Sequence, residues 1–222
     1  MAQDRQTSVI LGLAMTVGVA VAAIIVYVVV VSLDAGSRSL AFKNPSGSME
    51  PSILMGDYVT ARRLPDVATN PSLIRRGEII LHQFPDDTTK RFMKRVIGLP
   101  GDTIAMKNGV VFIDNHPLRE TYTLTTDSVD PISDDFHWQR AYLVGGARRD
   151  TAHYIASRNN WGPLLVPENS FFVLGDHRDM SLDSRYFGFL TAHQVLGSIR
   201  RVYFSRDSSH HVRWSRFGHL IQ

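Results

Sequence analysis

The sequence contains no cysteine among its 222 residues. This absence excludes a disulfide framework, a thiolate metal site and a cysteine nucleophile, so any covalent catalysis must use Ser, Thr, Lys or carboxylate side chains. Several common catalytic patterns are also missing, among them G-x-S-x-G, H-E-x-x-H, the P-loop and S-x-x-K. The nine histidines lack zinc-ligand spacing, and the adjacent pair His210–His211 is interpreted as a solvated turn, so no metal is expected.

A strong excess of either charge is lacking as well. The chain has 24 Lys and Arg against 21 Asp and Glu, and this small, scattered excess does not indicate a nucleic-acid surface. Its length allows one good-sized domain plus an appendage. With 44% hydrophobic and 20% charged residues, the composition excludes long disordered tails and low-complexity architectures.

One long apolar run is present, from residue 9 to residue 31. As a helix, its roughly 23 uncharged residues exceed the ~30 Å hydrocarbon core of a bilayer, which predicts a transmembrane anchor over residues 9–33. A cleaved secretory signal is the alternative, because Ala20-Val21-Ala22 has the composition of a cleavage site. The apolar run continues past this triplet, which favours a retained anchor. The flanking charges do not set the orientation of the span.

Beyond a short flexible link, β-rich runs dominate the chain. Asn108-Gly109 joins two of them, Thr103–Lys107 and Val110–Ile113, in the pattern of a type I′ hairpin. The fold class is predicted to be mainly β, with coiled antiparallel sheets forming a barrel-like body and little helix beyond the anchor. A polar stretch at about 119–165 is predicted to be an insertion or subdomain. Further strands are expected at Tyr58–Thr60, Glu78–Gln83, Phe171–Leu174 and Ile199–Phe204.

Two turn-rich segments carry polar side chains suited to catalysis. In residues 44–52, prolines restrict the backbone on either side of Ser46-Gly47-Ser48, so that outward amide hydrogens can receive an oxyanion. A plain turn is the alternative. In residues 94–102, Lys94 lies among apolar residues of a predicted strand, where burial would lower the pKa of its amine. The alternative is a lysine whose stem packs on the sheet while its amine reaches water.

A third segment, residues 175–188, alternates Asp, Arg and Ser between glycines. This pattern favours an internal network of ion pairs and hydrogen bonds, and a solvated charged loop is the alternative. Behind a single apolar span, the motifs PSGSMEPS, KRVIGLPGD and GDHRDMSLDSR together resemble those of bacterial type I signal peptidases, or leader peptidases. These are membrane-bound Ser/Lys proteases that remove signal peptides from exported proteins.

The resemblance implies a role for each matching residue. Ser48 is implied to be the nucleophile and Lys94 the general base. Ser46 is implied to join the Ser48 amide in the oxyanion hole, and Ser181 to orient the lysine amine by a hydrogen bond.

In the third segment, Asp183 and Arg185 match a supporting ion pair. The family motif usually reads GDNRDNS, and this chain departs from it at His177 and Met180. A Ser-His-Asp triad that uses His177 is an alternative, but the family pattern gives this position no base role.

The resemblance also implies how the substrate binds. The residues before the cut are expected to form an extended strand between segments 41–45 and 90–93, with small side chains at the first and third residues before the cut, as in Ala-x-Ala. The expected substrate-binding residues are Phe42, Pro45, Phe92 and Met93.

The implied partners are preproteins that bear signal peptides and the lipid bilayer, without nucleic acid, metal or cofactor. The implied topology places residues 1–8 in the cytoplasm and a serine peptidase domain, residues 34–222, on the outer face of the cytoplasmic membrane. Three alternatives remain open. They are a peptidase of the same family dedicated to one pilin or conjugation protein, a non-catalytic envelope binding module, and a self-cleaving repressor, although repressors carry a DNA-binding domain in place of a span.

Overall fold

The computed structural model describes residues 16–19, 21–22 and 39–221. Residues 16–19 and 21–22 are helical, and the rest of the predicted anchor at 9–33 lies outside the described residues. Of the helices that are described, none combines the length and the apolar composition that a membrane span requires. The chain divides into two compact units, Met1–Ser39 and Leu40–Gln222, and the candidate site lies in the second.

Residues 39–221 form a mainly β structure with little helix, which confirms that part of the predicted fold class. The strands are β1 (Ser39–Lys43), β2 (Asp57–Arg63), β3 (Ile79–Phe84), β4 (Asp87–Gly98), β5 (Thr103–Lys107), β6 (Val110–Ile113), β7 (His116–Pro117), β8 (Trp161–Leu165), β9 (Ser170–Leu174), β10 (Leu190–Thr191) and β11 (Val195–Ser205). Within residues 39–221 the helical segments are one α-helix, Ser184–Phe187, and 3₁₀-helices at Pro71–Leu73, Asp134–Tyr142, Gly145–Asp150, Arg178–Met180, Ala192–Gln194 and Trp214–Arg216.

A seven-stranded sheet, in the order β1-β2-β11-β3-β4-β9-β10, positions the candidate site. Its ladders from β2 through to β10 are antiparallel, as predicted. The predicted barrel-like body is not a closed barrel, because within residues 39–221 no ladder joins β10 back to β1. The physical reason is that β10 has two residues and pairs only with β9, so the sheet ends in open edges.

The predicted hairpin is confirmed in a second, four-stranded sheet of order β7-β6-β5-β8. β5 and β6 pair from Ile104↔Ile113 to Lys107↔Val110. Between them, Asn108 and Gly109 have φ angles of +48° and +77°. Positive φ at both central residues is what a type I′ turn requires. β8, which comes from the polar stretch at 119–165, pairs with the other edge of β5.

β4 separates two buried apolar clusters and so determines which way its side chains face. Met93 belongs to a cluster with Met49 and Ile53, whereas Val96 belongs to a cluster with Ile80 and others. Residues alternate between the two faces of a strand. Lys94 therefore lies on the Val96 face, opposite Met93.

Gly56 ends the loop that carries the first predicted segment, and its φ is +88°. A Cβ at this position would lie 2.0 Å from the backbone oxygen of Arg206, far inside van der Waals contact. Gly101 has nearly the same φ, +85°, but a Cβ there would meet nothing within 4 Å. A side chain at Gly101 would therefore cost only the strain of the left-handed backbone, whereas one at Gly56 would add a steric clash.

We expect Gly101→Ala to lower the free energy of unfolding by about 1–2 kcal/mol, the cost of the left-handed backbone alone. Gly56→Ala should cost at least about 2 kcal/mol more, because the loop and Arg206 must also move apart. Urea unfolding of the full chain in detergent, followed by tryptophan fluorescence, measures both values. Equal losses in the two variants would contradict the close approach at Gly56.

Candidate active site

The loop that carries Ser46 and Ser48 is held by the buried side chain of Asn44. Asn44 Nδ2 donates to the backbone oxygens of Ser46 (2.8 Å) and Leu54 (2.9 Å). Leu54 lies ten positions after Asn44 in the chain. The Asn44 N–H donates to Asp57 O at 2.7 Å, at the start of β2. Asn44 thus ties both ends of the loop to each other and to the sheet.

An ion pair between the buried Asp57 and the half-buried Arg216 fixes the same loop from the other side. Arg216 Nε donates to Asp57 Oδ1 at 3.0 Å, and Arg216 Nη2 donates to Ser52 O at 2.9 Å. Asp57 Oδ2 accepts from the Leu54 N–H at 2.8 Å. Met49, next to Ser48, is fully buried. The backbone around Ser48 is therefore set by both hydrogen bonds and packing.

This loop and β4 bring Ser48 and Lys94 together. Lys94 Nζ lies 3.0 Å from Ser48 Oγ and donates to Met93 O at 3.1 Å. Ser46 Oγ lies 3.2 Å from Ser48 Oγ. Ser46 is exposed and Ser48 half-buried, so a substrate can reach both hydroxyls. Three of the sequence-predicted site residues are thus adjacent.

Lys94 is buried among apolar groups, with 3% of its surface exposed, so the alternative in which its amine reaches water does not hold. Ile80 lies opposite Lys94 across the β3–β4 ladder, and Phe92 and Val96 share its face along the strand. Burial lowers the pKa of the amine from its ordinary 10.5 to about 8. Such an amine is available as a proton acceptor near neutral pH.

The charges around Lys94 modify this shift of its pKa. Asp183 and Asp176 raise the pKa of the amine and Arg185 lowers it, but burial has the largest effect. Asp183 and Arg185 are fully buried and form a bidentate pair, with Nε to Oδ1 at 2.8 Å and Nη2 to Oδ2 at 2.9 Å. The structure therefore brings together the pair that the resemblance implied.

Ser181 lies in the same loop, and its hydroxyl does not hydrogen-bond to Lys94 in this structure. Ser181 Oγ is buried and makes no hydrogen bond of normal length, although its hydroxyl helps to lower the pKa of the nearby Asp183 carboxyl. It lies close to Gly175, where a Cβ would come within 2.2 Å of Ser181 Oγ and 2.6 Å of Ser48 O. Ser181 is thus near the backbone of Ser48 with unused hydrogen-bonding capacity.

His177 contacts the Ser48 loop through its backbone. Its N–H donates to Ser48 O at 3.2 Å, whereas its ring Nε2 is 3.1 Å from Thr126 Oγ1. The imidazole thus has a partner on the 119–165 stretch. This arrangement differs from a Ser-His-Asp triad, in which the ring would bind the serine hydroxyl.

A cleft of about 260 Å³ opens over these residues. Its lining comes from residues 42–48, from β4 at residues 91–94, and from Met180 and Leu182. All four residues expected to bind substrate contribute to it: Phe42, Pro45, Phe92 and Met93.

Two strand edges border this cleft. β9 pairs with β4 only from Arg95 onward, so within the described chain β4 at residues 87–94 has a strand neighbour on one side alone. β1 is the outermost strand of the sheet order. Open edges can accept an added strand through main-chain hydrogen bonds.

A family model described as signal peptidase, peptidase S26, matches residues 12–204. The chain belongs to this family.

Relatives within the family span most of the chain. Signal peptidase I of Buchnera aphidicola subsp. Acyrthosiphon pisum is 26% identical, over 81% of this chain and 74% of that protein. Signal peptidase I P of Bacillus subtilis subsp. natto is 30% identical, over 71% of this chain and 72% of that protein. A crystal structure of a signal peptidase I from Enterococcus faecalis V583 is 30% identical, with a TM-score of 0.38, over 56% of this chain and 95% of that one.

The chain also contains a buried ion pair to which the sequence analysis gave no role. Arg95, next to Lys94, donates from Nε and Nη2 to the carboxylate of Asp176 at 2.8 and 2.7 Å. Its guanidinium also stacks 3.8 Å from the ring of Tyr122. The pair connects β4 to the loop that carries Ser181. Arg95 and Asp176 both belong to the sequence motifs, but no local pattern in the sequence indicates that they form an ion pair with each other.

The start of the 119–165 stretch supports the same loop. Glu120 forms an ion pair of 2.5 Å with Arg178, and both side chains are buried. Leu124 donates its N–H to Asp176 O and accepts from the Arg178 N–H. The Thr126 N–H donates to Asp179 Oδ2 at 2.5 Å. This part of the stretch thus packs alongside residues 176–179.

The lowered pKa of Lys94 predicts how stability depends on pH. Between about pH 8 and 10.5 the unfolded chain binds a proton at Lys94 that the folded protein has lost, so the free energy of unfolding rises with pH in this window. Below pH 8 both states are protonated and the folded protein bears the full cost of burying an ammonium. That cost is about 3 kcal/mol at about 1.4 kcal/mol per pKa unit.

Lys94→Met removes this titration. Its stability relative to the wild type should therefore be greater at pH 7 than near pH 11, by about 3 kcal/mol. Denaturant unfolding of both full-length proteins across this range measures the difference. A difference that does not change with pH would contradict the buried, easily deprotonated amine.

Proposed function

We propose that this protein is a membrane-anchored signal peptidase I that removes N-terminal signal peptides from exported preproteins, cutting after small residues. Ser48 is the proposed nucleophile and Lys94 the proposed general base. The observation that carries the proposal is the 3.0 Å separation of Lys94 Nζ and Ser48 Oγ at a buried amine. Family membership over residues 12–204 supports the reaction class.

In the proposed first step, neutral Lys94 takes the proton of Ser48 as its oxygen attacks the scissile carbonyl. A neutral amine has two N–H groups and one lone pair. Donation to Met93 O uses one N–H and leaves the lone pair available to Ser48. The resulting ammonium then protonates the leaving amine, and water attacks the acyl-enzyme with Lys94 again acting as base.

The oxyanion of the tetrahedral intermediate is proposed to accept from the Ser48 N–H and the Ser46 hydroxyl. The 3.2 Å separation of the two serine oxygens supports this role, because the donor must lie beside the attacking atom. Ser181 is the proposed orienting group for the amine. Support comes from its buried, unpartnered hydroxyl beside the Ser48 backbone.

The substrate is proposed to add a strand in the cleft between β1 and β4. The open edge of β4 at residues 87–94 supports main-chain pairing. Phe42 and Met93 belong to or pack on one apolar cluster, which suits shallow pockets for small side chains at the first and third residues before the cut.

The membrane anchor at 9–33, with residues 1–8 cytoplasmic and residues 34–222 on the outer face, is part of the same proposal. The family match begins at residue 12, inside the apolar run, which supports it. A tether of this kind would place the cleft near the membrane surface, where the apolar segment of a preprotein lies.

Ser48→Ala and Lys94→Ala should each lower kcat/KM for an Ala-x-Ala preprotein by at least about 10³-fold. The reason is that residues acting as one catalytic unit depend on each other, so the loss of either removes most of the activity. Cleavage is followed by gel analysis of the full-length enzyme in detergent. Lys107→Ala, an exposed strand lysine, is the matched control and should keep full activity. Full activity in Lys94→Ala would refute the dyad.

The rate should also depend on pH through Lys94. Only the neutral amine is a base, so kcat/KM should fall about tenfold per unit as the pH drops below the pKa of about 8. A peptide substrate without ionisable side chains near the cut isolates the titration of the enzyme. A flat profile from pH 8 to pH 5 would contradict a lysine base.

A further inference from the structure

Two large apolar side chains at the cleft have no place in the proposed chemistry. Met180 and Leu182 line the cleft and are 63% and 47% exposed. Ser181 between them is buried, and its backbone is extended, with φ of −124° and ψ of 121°. In extended backbone, successive side chains point to opposite sides, so Met180 and Leu182 point to the side opposite Ser181. Met180 and Leu182 therefore face the cleft together. Neither belongs to the three buried apolar clusters described within residues 40–221.

This apolar pair has a set position relative to the nucleophile. The Met180 N–H donates to His177 O, and the His177 N–H donates to Ser48 O, both at 3.2 Å. The close packing of Ser181 on Gly175 brings the same loop against the Ser48 backbone. The pair is thus a wall built beside the position of the scissile bond.

The faces of β4 indicate which substrate side chain meets this wall. Met93 and the adjoining Phe42 lie on one face, and Phe92 and Lys94 lie on the other. The start of the loop that contains Met180 and Leu182, at Asp176, binds Arg95 on the Met93 face. The chain after Leu182 lies on the Lys94 face, because Phe187 contacts the rings of His82 and Phe84 and packs against the cluster that contains Val96. The Phe92 ring contacts the same His82 and Phe84 and lines the cleft with Met180 and Leu182, so the apolar pair lies on the Phe92 side of the cleft.

A substrate strand added to the edge of β4 alternates its side chains between these faces. When the first and third residues before the cut point to the Met93 face, the second residue points to Phe92, Met180 and Leu182. Two exposed apolar side chains beside an aromatic ring favour an apolar partner, because contact removes their surface from water.

We propose that Met180, Leu182 and Phe92 form a subsite for a large apolar side chain at the second residue before the cut. The subsite rests on the proposed function and adds a substrate preference to it. Position 180 is one at which this chain departs from the GDNRDNS motif, with Met in place of Asn. The preference would thus be a property of this chain.

The test compares peptides of the form Ala-Leu-Ala and Ala-Asn-Ala before the cut, with the full-length enzyme in detergent. The wild type should cleave the Leu peptide with a kcat/KM about fivefold to tenfold higher than the Asn peptide. In Met180→Asn/Leu182→Ser this ratio should fall below about twofold. The ratio within each enzyme is compared, so a general change in rate does not affect the result.

Three controls accompany the double variant. Leu165→Ser changes a strand leucine that lies outside the cleft and whose exposed fraction, 45%, is similar to that of Leu182. This variant should keep the wild-type ratio. Met180→Leu preserves an apolar wall and should also keep it. Discrimination between Ala and Val at the first residue uses the opposite face and should persist in the double variant.

Equal cleavage of the two peptides by the wild type, or a preference that survives in the double variant, would overturn the subsite. A Leu preference at a different substrate position that is lost in the double variant would overturn its assignment to the second residue. Failure of the wild type to cleave any Ala-x-Ala peptide would instead overturn the proposed function, on which the subsite rests.

Discussion

The site depends on an amine buried beside a hydroxyl without an acidic partner bound directly to it. Burial disfavours the ammonium of Lys94 and lowers its pKa to about 8. The same amine lies 3.0 Å from Ser48 Oγ. A carboxylate in direct contact would reverse this effect by stabilising the charged form. The carboxylates near Lys94 must therefore have only a weak effect on the pKa of its amine.

The buried ion pairs meet this requirement. Asp183 and Asp176 are the acids that raise the pKa of Lys94, and each is held by an arginine in a bidentate contact. Arg185 lowers the pKa of the amine and so opposes the effect of Asp183, and burial remains the largest effect on the amine. The same pairs give the loop around Ser181 a rigid frame, because breaking a buried pair leaves an uncompensated charge.

Distance control comes from two loops that meet at Ser48. Asn44 and the Asp57–Arg216 pair hold the Ser48 loop to the sheet, and the His177 N–H donates to the Ser48 carbonyl from the opposite loop. The proposed proton transfer requires the Lys94 amine within hydrogen-bond reach of the Ser48 hydroxyl, and these tethers set that distance. The open edges of β1 and β4 leave the space between the loops accessible to an extended peptide.

Local signals in the sequence were enough for strands such as β2, β3 and β11, for the Asn108-Gly109 hairpin and for the residue types at the site, but not for β7, β8 and β10. Alternating patterns and turn residues act over a few positions, and the three motifs named Ser48, Lys94 and their neighbours as candidates. Tertiary structure alone decided the openness of the sheet, the Arg95–Asp176 pair across 81 positions and the Asp57–Arg216 pair across 159. It also decided that Lys94 is buried and that Met180 and Leu182 face the cleft. Burial and long-range pairing depend on which segments pack together in space, and no local pattern along the chain contains that information.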